Sequence, residues 1–296
     1  MPMKEMKQYF FIINPISGKG KGKKLIPLIE KFFSERNLIF EIHITTFAGE
    51  AKSLASIGIQ KGYTTIIAVG GDGTVNEVGS VLVNSSVHFG IIPIGSGNGL
   101  ARELKIPMDP YAAIKNLIKG DLRKIDSGTC NGHYFACTAG IGFDAKMSST
   151  FLHLTNRGLN GYVRTFLKEF FKYKSLRYEF QLNEKKIEVD ALLITIANCK
   201  QWGNEFYISP QSKPNDGLLE ICILKKFPIY VLPILLFRAV NKTLHKSKYI
   251  TISQITSIQL KSSETTQFHT DGEVLVPRNL FLINVNPNSL NIISGF

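Results

Sequence analysis

Val69-Gly70-Gly71-Asp72-Gly73-Thr74-Val75-Asn76-Glu77 is the stretch on which the reading of this 296-residue chain turns. Ile66 to Val69 is short, apolar and β-branched enough for a buried strand, and from Val75, with Val78, Val81 and Leu82, apolar residues recur at helical spacing. Glycines at the junction permit φ > 0 and let a bulky anion come close to the backbone N–H groups. Strand, glycine turn and helix together make a phosphate-handling turn. Asp72 stands where a phosphate and a divalent cation would meet, or serves as an Asx-type turn residue.

Two further turns of this kind flank it. Phe10 to Ile13 reads as a strand leading into Asn14-Pro15-Ile16-Ser17-Gly18-Lys19-Gly20-Lys21-Gly22-Lys23-Lys24, expected to be a loop before a helix. Phe89 to Ile92 leads into Ile94-Gly95-Ser96-Gly97-Asn98-Gly99-Leu100-Ala101-Arg102. One glycine cluster would be an ordinary loop; three at successive strand ends point to one anion site. Strands over Tyr9–Ile13, Phe40–Thr45 and Thr65–Val69 alternate with helices over Leu25–Phe33 and Ala51–Ile59, the pattern of a mainly parallel α/β sheet. Ligands of such sheets bind beyond the carboxyl ends of the strands, where all three clusters fall.

After Lys119-Gly120-Asp121 the character changes to segments of alternating polarity, Ile187–Ala197, Leu218–Leu224, Ile250–Leu260 and Leu280–Val285, with helical stretches around Leu159–Tyr173 and Ile229–Leu244. We expect an α/β domain over residues 1–124 and an antiparallel β-rich domain over 125–296. No internal repeat is visible. Cys130, Cys137, Cys199 and Cys222 form no Cys-x-x-Cys pair, which argues against a zinc site and suits a reducing cytoplasm. No signal peptide is indicated, and the longest apolar stretch, Phe227–Phe237, holds two prolines and falls well short of a transmembrane segment. The net charge of +12, shared about equally by the two halves, favours anionic partners, although no nucleic-acid recognition motif accompanies it.

Asn14-Pro15-Ile16-Ser17-Gly18, Gly70-Gly71-Asp72-Gly73-Thr74-Val75-Asn76-Glu77 and Pro93-Ile94-Gly95-Ser96-Gly97-Asn98 resemble the catalytic domain of soluble bacterial diacylglycerol kinases, sphingosine kinases and ceramide kinases. Asp126-Ser127-Gly128, Ala139 to Ala145, Asn215-Asp216-Gly217-Leu218-Leu219 and Asp271-Gly272-Glu273 continue the resemblance in the family's order. It implies an α/β nucleotide-binding domain with a mainly parallel sheet over residues 1–124, a β-sandwich-like lipid-binding domain over 125–296 whose last residues pack on the first, and an ATP- and Mg²⁺-dependent kinase acting on a hydroxyl of a diacylglycerol-like or sphingoid lipid. Asn14, Ser17, Gly18, Thr45, Gly71, Asp72, Gly73, Thr74, Asn76, Glu77 and Ser96 would line the ATP site. Glu273 would be the catalytic base, with Asp72 in its carboxylate network and Asp271 as the alternative base. A structural Mg²⁺ would sit on the Asp216 carboxylate and the main-chain carbonyls of Lys213 and Leu218. Read without the family, Asp271-Gly272 is a hairpin turn, Asp216 a turn residue, and Glu77 a contact to ribose or lysine or an acid near a helix N-terminus.

The family's bacterial form has an acid where this chain has Gly99, and Ser96 keeps a hydroxyl in place of threonine. Trp202-Gly203-Asn204 replaces a glycine-richer loop. Between Arg157 and Lys174, Tyr162, Phe166, Phe170, Phe171 and Tyr173 interleave with basic residues, as do the apolar residues before Arg238, Lys242, Lys246 and Lys248. Such helices suit a peripheral contact with an acidic membrane, at the inner face in the cytoplasm, or a cover over the β domain. The alternatives are an NAD kinase and a non-catalytic nucleotide- or lipid-binding sensor. A homodimer is the candidate assembly.

Overall fold

Four apolar segments, β1 (Gln8–Ile13), β2 (Ile39–Ile44), β3 (Thr65–Gly70) and β4 (His88–Pro93), pair in parallel in the order β2-β1-β3-β4. Every residue of β3 is buried, as are nearly all of β1 and β4, because helices cover both faces; β2, at the edge, is half exposed. The helices are α1 (Ser17–Lys24), α2 (Ile26–Ser34), α3 (Glu50–Gln60), α4 (Asp72–Leu82), α5 (Gly99–Glu103) and α6 (Pro110–Lys119). Ile29 and Phe33 of α2 and Ile114 and Leu117 of α6 pack with Phe11, Ile67 and Ile92 of the strands. This computed structural model describes residues 7–152, 159–182, 184–203 and 205–295. Contacts divide the chain into two units, one running to Asp126 and resuming at Asn288, the other Ser127–Pro287.

The resumed segment completes the first sheet: Asn291 and Ile292 lie parallel beside His88 and Phe89 of β4. The fully buried Asp126 carboxylate fixes the point of return by accepting the Asn288 N–H at 2.7 Å. One sequence expectation changes here. Ser17–Lys24, expected as a loop, is the helix α1 interrupted by left-handed residues, Gly18, Lys19 and Gly20, at φ 61°, 60° and 84°. A side chain at Gly18 would strike the Ile94 carbonyl, so the first glycine turn is pressed against the third.

The second unit takes in the end of β5 (Asp121–Cys130), then β6 (His133–Phe135), β7 (Thr138–Gly142), α7 (Phe143–Leu152), α8 (Leu159–Lys172), β8 (Leu176–Leu182), β9 (Lys185–Ala191), β10 (Leu193–Ala197), β11 (Gln201–Gly203), β12 (Phe206–Tyr207), β13 (Leu219–Leu224), α9 (Leu232–Val240), β14 (Ile250–Ile255), β15 (Ser257–Thr270) and most of β16 (Glu273–Ser294). Strands β14-β13-β10-β7-β15-β16 neighbour one another, each pair antiparallel. β13 is not the half-exposed strand that alternation suggests. Leu219, Ile221 and Ile223 enter one apolar cluster, while Cys222 and Leu224 enter another that lies under α7, α8 and α9. The expected segment Ile250–Leu260 is broken after Ile255, ending β14 and starting β15.

Candidate active site

In the first unit, strand ends and backbone turns build the site. Asn14, just past β1, donates its N–H to the Val69 carbonyl at 3.0 Å, and its side-chain amide donates to Thr74 Oγ1 at 3.3 Å. Its Oδ1 accepts the Ile16 N–H at 3.2 Å, which shapes the Pro15–Ser17 turn. Thr45, just past β2, donates its N–H to the Ile13 carbonyl at 2.9 Å. Ile94, just past β4, does the same to Gly70 at 2.9 Å. The three glycine turns therefore meet at one sheet edge. A Cβ on Gly95 would come within 2.6 Å of the Gly71 Cα, and one on Gly97 within 2.6 Å of Asp72 Oδ2, so glycine is what lets these turns touch.

Asp72 opens α4, and its carboxylate reaches across to the third turn. Oδ2 accepts the Asn98 N–H at 2.9 Å and Oδ1 the Gly99 N–H at 2.7 Å, capping the short helix α5. Asn98 closes the turn by exchanging hydrogen bonds with both the N–H and the carbonyl of Gly95. Arg102 Nε donates to the Gly97 carbonyl at 2.9 Å. Thr74 and Asn76 are buried, whereas Gly73 and Ser96 are exposed, and a Cβ on Gly73 would meet nothing within 4 Å. Open space thus lies before the first turn of α4, whose leading N–H groups have no partner within the helix. Glu77 faces elsewhere: its two oxygens accept the Gly49 and Ala51 N–H groups at 3.1 and 3.2 Å, capping α3. That is the helix-terminus reading of Glu77, with the cap on a neighbouring helix.

In the second unit, Asp271-Gly272 links β15 to β16, with Thr270 opposite Glu273. Asp271 and Gly272 have φ of 47° and 88°, positive at both central positions as a tight hairpin turn requires. Asp271 is held by backbone. Oδ2 accepts the Ala136 N–H at 2.7 Å, and Oδ1 accepts those of Cys137 and Thr138, both at 2.9 Å. Three N–H donors already occupy its two oxygens, which turns the carboxylate into the backbone and away from a substrate. Glu273, one residue beyond the turn, is exposed. Of the two acids, it is the one presented for chemistry.

Asp216 is exposed in a turn closed by Gly217 at φ 76°, and its Oδ1 accepts the Leu218 N–H at 3.1 Å. Burial, and then the Asp216 charge, push the nearby Glu220 carboxyl above its ordinary range, so this acid holds its proton more firmly and Asp216 is the exposed carboxylate of the loop. Among the described residues no three His, Cys, Asp or Glu side chains cluster to hold a metal ion. A cation would take one carboxylate, main-chain carbonyls such as those of Lys213 and Leu218, and water. That hard-oxygen set suits Mg²⁺, which keeps several waters.

The aromatic residues of α8, with Tyr173 just past its end, divide. Phe166, Phe170 and Tyr173 pack around Phe143, so they cover the β unit, while Phe171 is exposed. Arg157 and the side chain of Tyr162 lie outside the described residues, as does Asn204. Asp144 and His269, absent from the candidate residues, form a buried contact beside the Asp271 turn, with Nε2 and Oδ1 3.3 Å apart. The glycine spacing around Ala139 to Ala145 is the available signal for Asp144; nothing in the sequence singles out His269.

An α/β unit that presents backbone donors at a sheet edge, followed by a β-rich unit with an Asp-Gly-Glu hairpin turn, has known counterparts. Residues 8–130 match the family described as diacylglycerol kinase catalytic domain, and residues 137–294 match the YegS C-terminal NAD kinase beta sandwich-like domain. The diacylglycerol kinase of Bacillus subtilis (strain 168) is 30% identical over 274 residues, 90% of each chain. A protein of Serratia proteamaculans named "Probable lipid kinase YegS-like" is 29% identical, over 93% of this chain and 91% of that one. A crystal structure of a diacylglycerol kinase from Bacillus anthracis str. Sterne has the same fold, with a TM-score of 0.76 at 21% identity over 98% of both chains. This chain belongs to the diacylglycerol kinase family, with the family's α/β domain of mainly parallel strands and β-sandwich-like C-terminal domain.

Proposed function

We propose that this protein is an ATP- and Mg²⁺-dependent lipid kinase that transfers the γ-phosphoryl group to a hydroxyl of a diacylglycerol-like or sphingoid lipid. The observation that carries the reading is the convergence of three glycine turns before the first turn of α4, where Gly73 leaves open space. Phosphoryl transfer requires a positioned donor and neutralised charge rather than covalent help from the protein. N–H groups of Gly18, Gly71 to Thr74 and Ser96 would take the phosphates, Asn14, Ser17, Thr45 and Asn76 would shape the pocket, and Asp72 would hold the Ser96–Gly99 turn in place. Mg²⁺, when bound, offsets phosphate charge; at the second-unit loop it would be held by Asp216 with the carbonyls of Lys213 and Leu218. Glu273 accepts the proton of the lipid hydroxyl while that oxygen bonds to the γ-phosphorus and the bond from phosphorus to the β–γ bridging oxygen breaks, releasing ADP.

The lipid is reached at an acidic membrane surface. Leu232, Leu235 and Ala239 of α9 are buried, but Tyr230 (77% exposed), Ile234, Phe237 (68%) and Val240 are bare, with Arg238, Lys242, Lys246 and Lys248 nearby in the chain. An apolar face bordered by bases suits shallow insertion among anionic headgroups, which makes the protein a peripheral enzyme at the cytoplasmic face. No helix among the described residues is long and apolar enough to cross a membrane.

Labelled ATP with Mg²⁺ and diacylglycerol, monoacylglycerol, sphingosine or ceramide in acidic mixed micelles tests this, with NAD as a parallel acceptor. A labelled lipid is the expected product and names the headgroup. Labelled NADP would turn the reading to an NAD kinase, and ATP binding without any product would turn it to a sensor.

A further inference from the structure

Three adjacent antiparallel strands carry Thr195, Gly140 and His269 at one level, Thr195 opposite Gly140 and Gly140 opposite His269. Asp144, in the first turn of α7, meets this row. Its Oδ2 accepts the Thr195 hydroxyl at 2.5 Å and the Trp202 indole N–H at 3.2 Å, and its Oδ1 faces His269 Nε2 at 3.3 Å. The absence of a side chain between them permits the encounter. A Cβ on Gly140 would collide with both His269 Nε2 and Asp144 Oδ2. On the other edge of the ring, His269 Nδ1 accepts the Gly272 N–H at 3.2 Å. With Nδ1 accepting, Nε2 is the ring's donor nitrogen; it is buried and makes no hydrogen bond, and the Asp144 carboxylate is its polar neighbour.

We propose that His269 is the positioning residue of the Asp271–Glu273 turn, with Asp144 holding its ring. The inference rests on the reading of Glu273 as the base. Glu273 is exposed, so where its carboxylate stands is set by the backbone beneath it. That backbone is tied at two places: the Asp271 carboxylate grips Ala136 to Thr138, and His269 grips the N–H of Gly272, the residue directly before Glu273. Asp144, itself fixed by Thr195 and Trp202, packs 3.3 Å from Nε2 of the 3%-exposed imidazole and narrows the space in which the ring could rotate. A displaced base loses rate while nucleotide binding stays intact, because the nucleotide loops belong to the other unit.

The test combines kinetics with amide exchange in the full-length protein. His269→Ala should lower kcat roughly 10- to 100-fold with KM for ATP nearly unchanged, and should speed exchange of the Gly272 amide. His269→Asn, whose side-chain oxygen can replace Nδ1 as acceptor, should restore protection and most of kcat. Asp144→Asn should give the same split at smaller amplitude, and it serves if His269→Ala does not fold. Unchanged kcat and unchanged Gly272 exchange in His269→Ala would overturn the proposal. Faster exchange with unchanged kcat would also overturn it, and Glu273→Gln in the same assay then separates the causes. Lost turnover in that variant keeps Glu273 as base and rejects only the positioning role; retained turnover rejects both.

Discussion

Gly71-Asp72-Gly73 of the first unit and Asp271-Gly272-Glu273 of the second are written alike, an acid beside glycine at the end of a strand, yet they present different things. At the first, Asp72 turns sideways to cap α5 through Asn98 and Gly99, and the turn leaves backbone N–H groups facing open space. At the other, Asp271 turns inward onto three N–H groups, and the turn leaves a side chain, Glu273, facing out. One suits an anion and the other a proton. What an acid does here follows from how many backbone donors already occupy it, a quantity that composition does not record.

Four substitutions break or sharpen that contrast. Glu273→Gln should have the largest effect, on turnover alone: a loss of about 10²- to 10⁴-fold, the usual worth of a general base, with ATP affinity and melting temperature retained. Near-normal turnover would remove Glu273 from the mechanism. Asp271→Ala should act on stability instead, stranding the N–H groups of Ala136, Cys137 and Thr138 at a cost of about 3 kcal/mol in a denaturant melt. If Asp271→Ala is as stable as the native chain, the backbone grip is not what that acid supplies. Asp72→Ala should be milder in stability, about 1 kcal/mol as for a lost helix cap, but should raise the KM for ATP by loosening the Ser96–Gly99 turn. An unaltered KM would separate Asp72 from the nucleotide. The smallest effect is expected of Asp216→Ala, a lower melting temperature in Mg²⁺ buffer and none in EDTA; identical curves in both would deny the loop its cation.

The parallel sheet is legible in the chain because its signals are local. Tyr9 to Ile13, Thr65 to Val69 and Phe89 to Ile92 are apolar runs followed closely by glycine turns, and each lies within a residue or two of an observed strand. α1 is not legible because its glycines and lysines give no apolar periodicity and its glycines disfavour a helix, and contact with the third turn overrides that. Side-chain roles are harder to read. Glu77 and Asp271 accept donors 26 to 28 and 133 to 135 residues away in sequence, and no window on the sequence holds such partners. The Asp144–His269 contact escapes for the same reason, since Gly140 makes room for it through strand register rather than through chain proximity.

The last strand, β16, begins as a hairpin partner of β15 and finishes beside β4, with Asn291 next to His88. During synthesis the fifth parallel strand of the first unit therefore leaves the ribosome roughly 200 residues after its neighbour. Until then the open edge of β4 has unpaired N–H and carbonyl groups, a template for pairing with the wrong chain. The unit made first is the unit finished last, and its exposure to misassembly lasts as long as translation of everything in between.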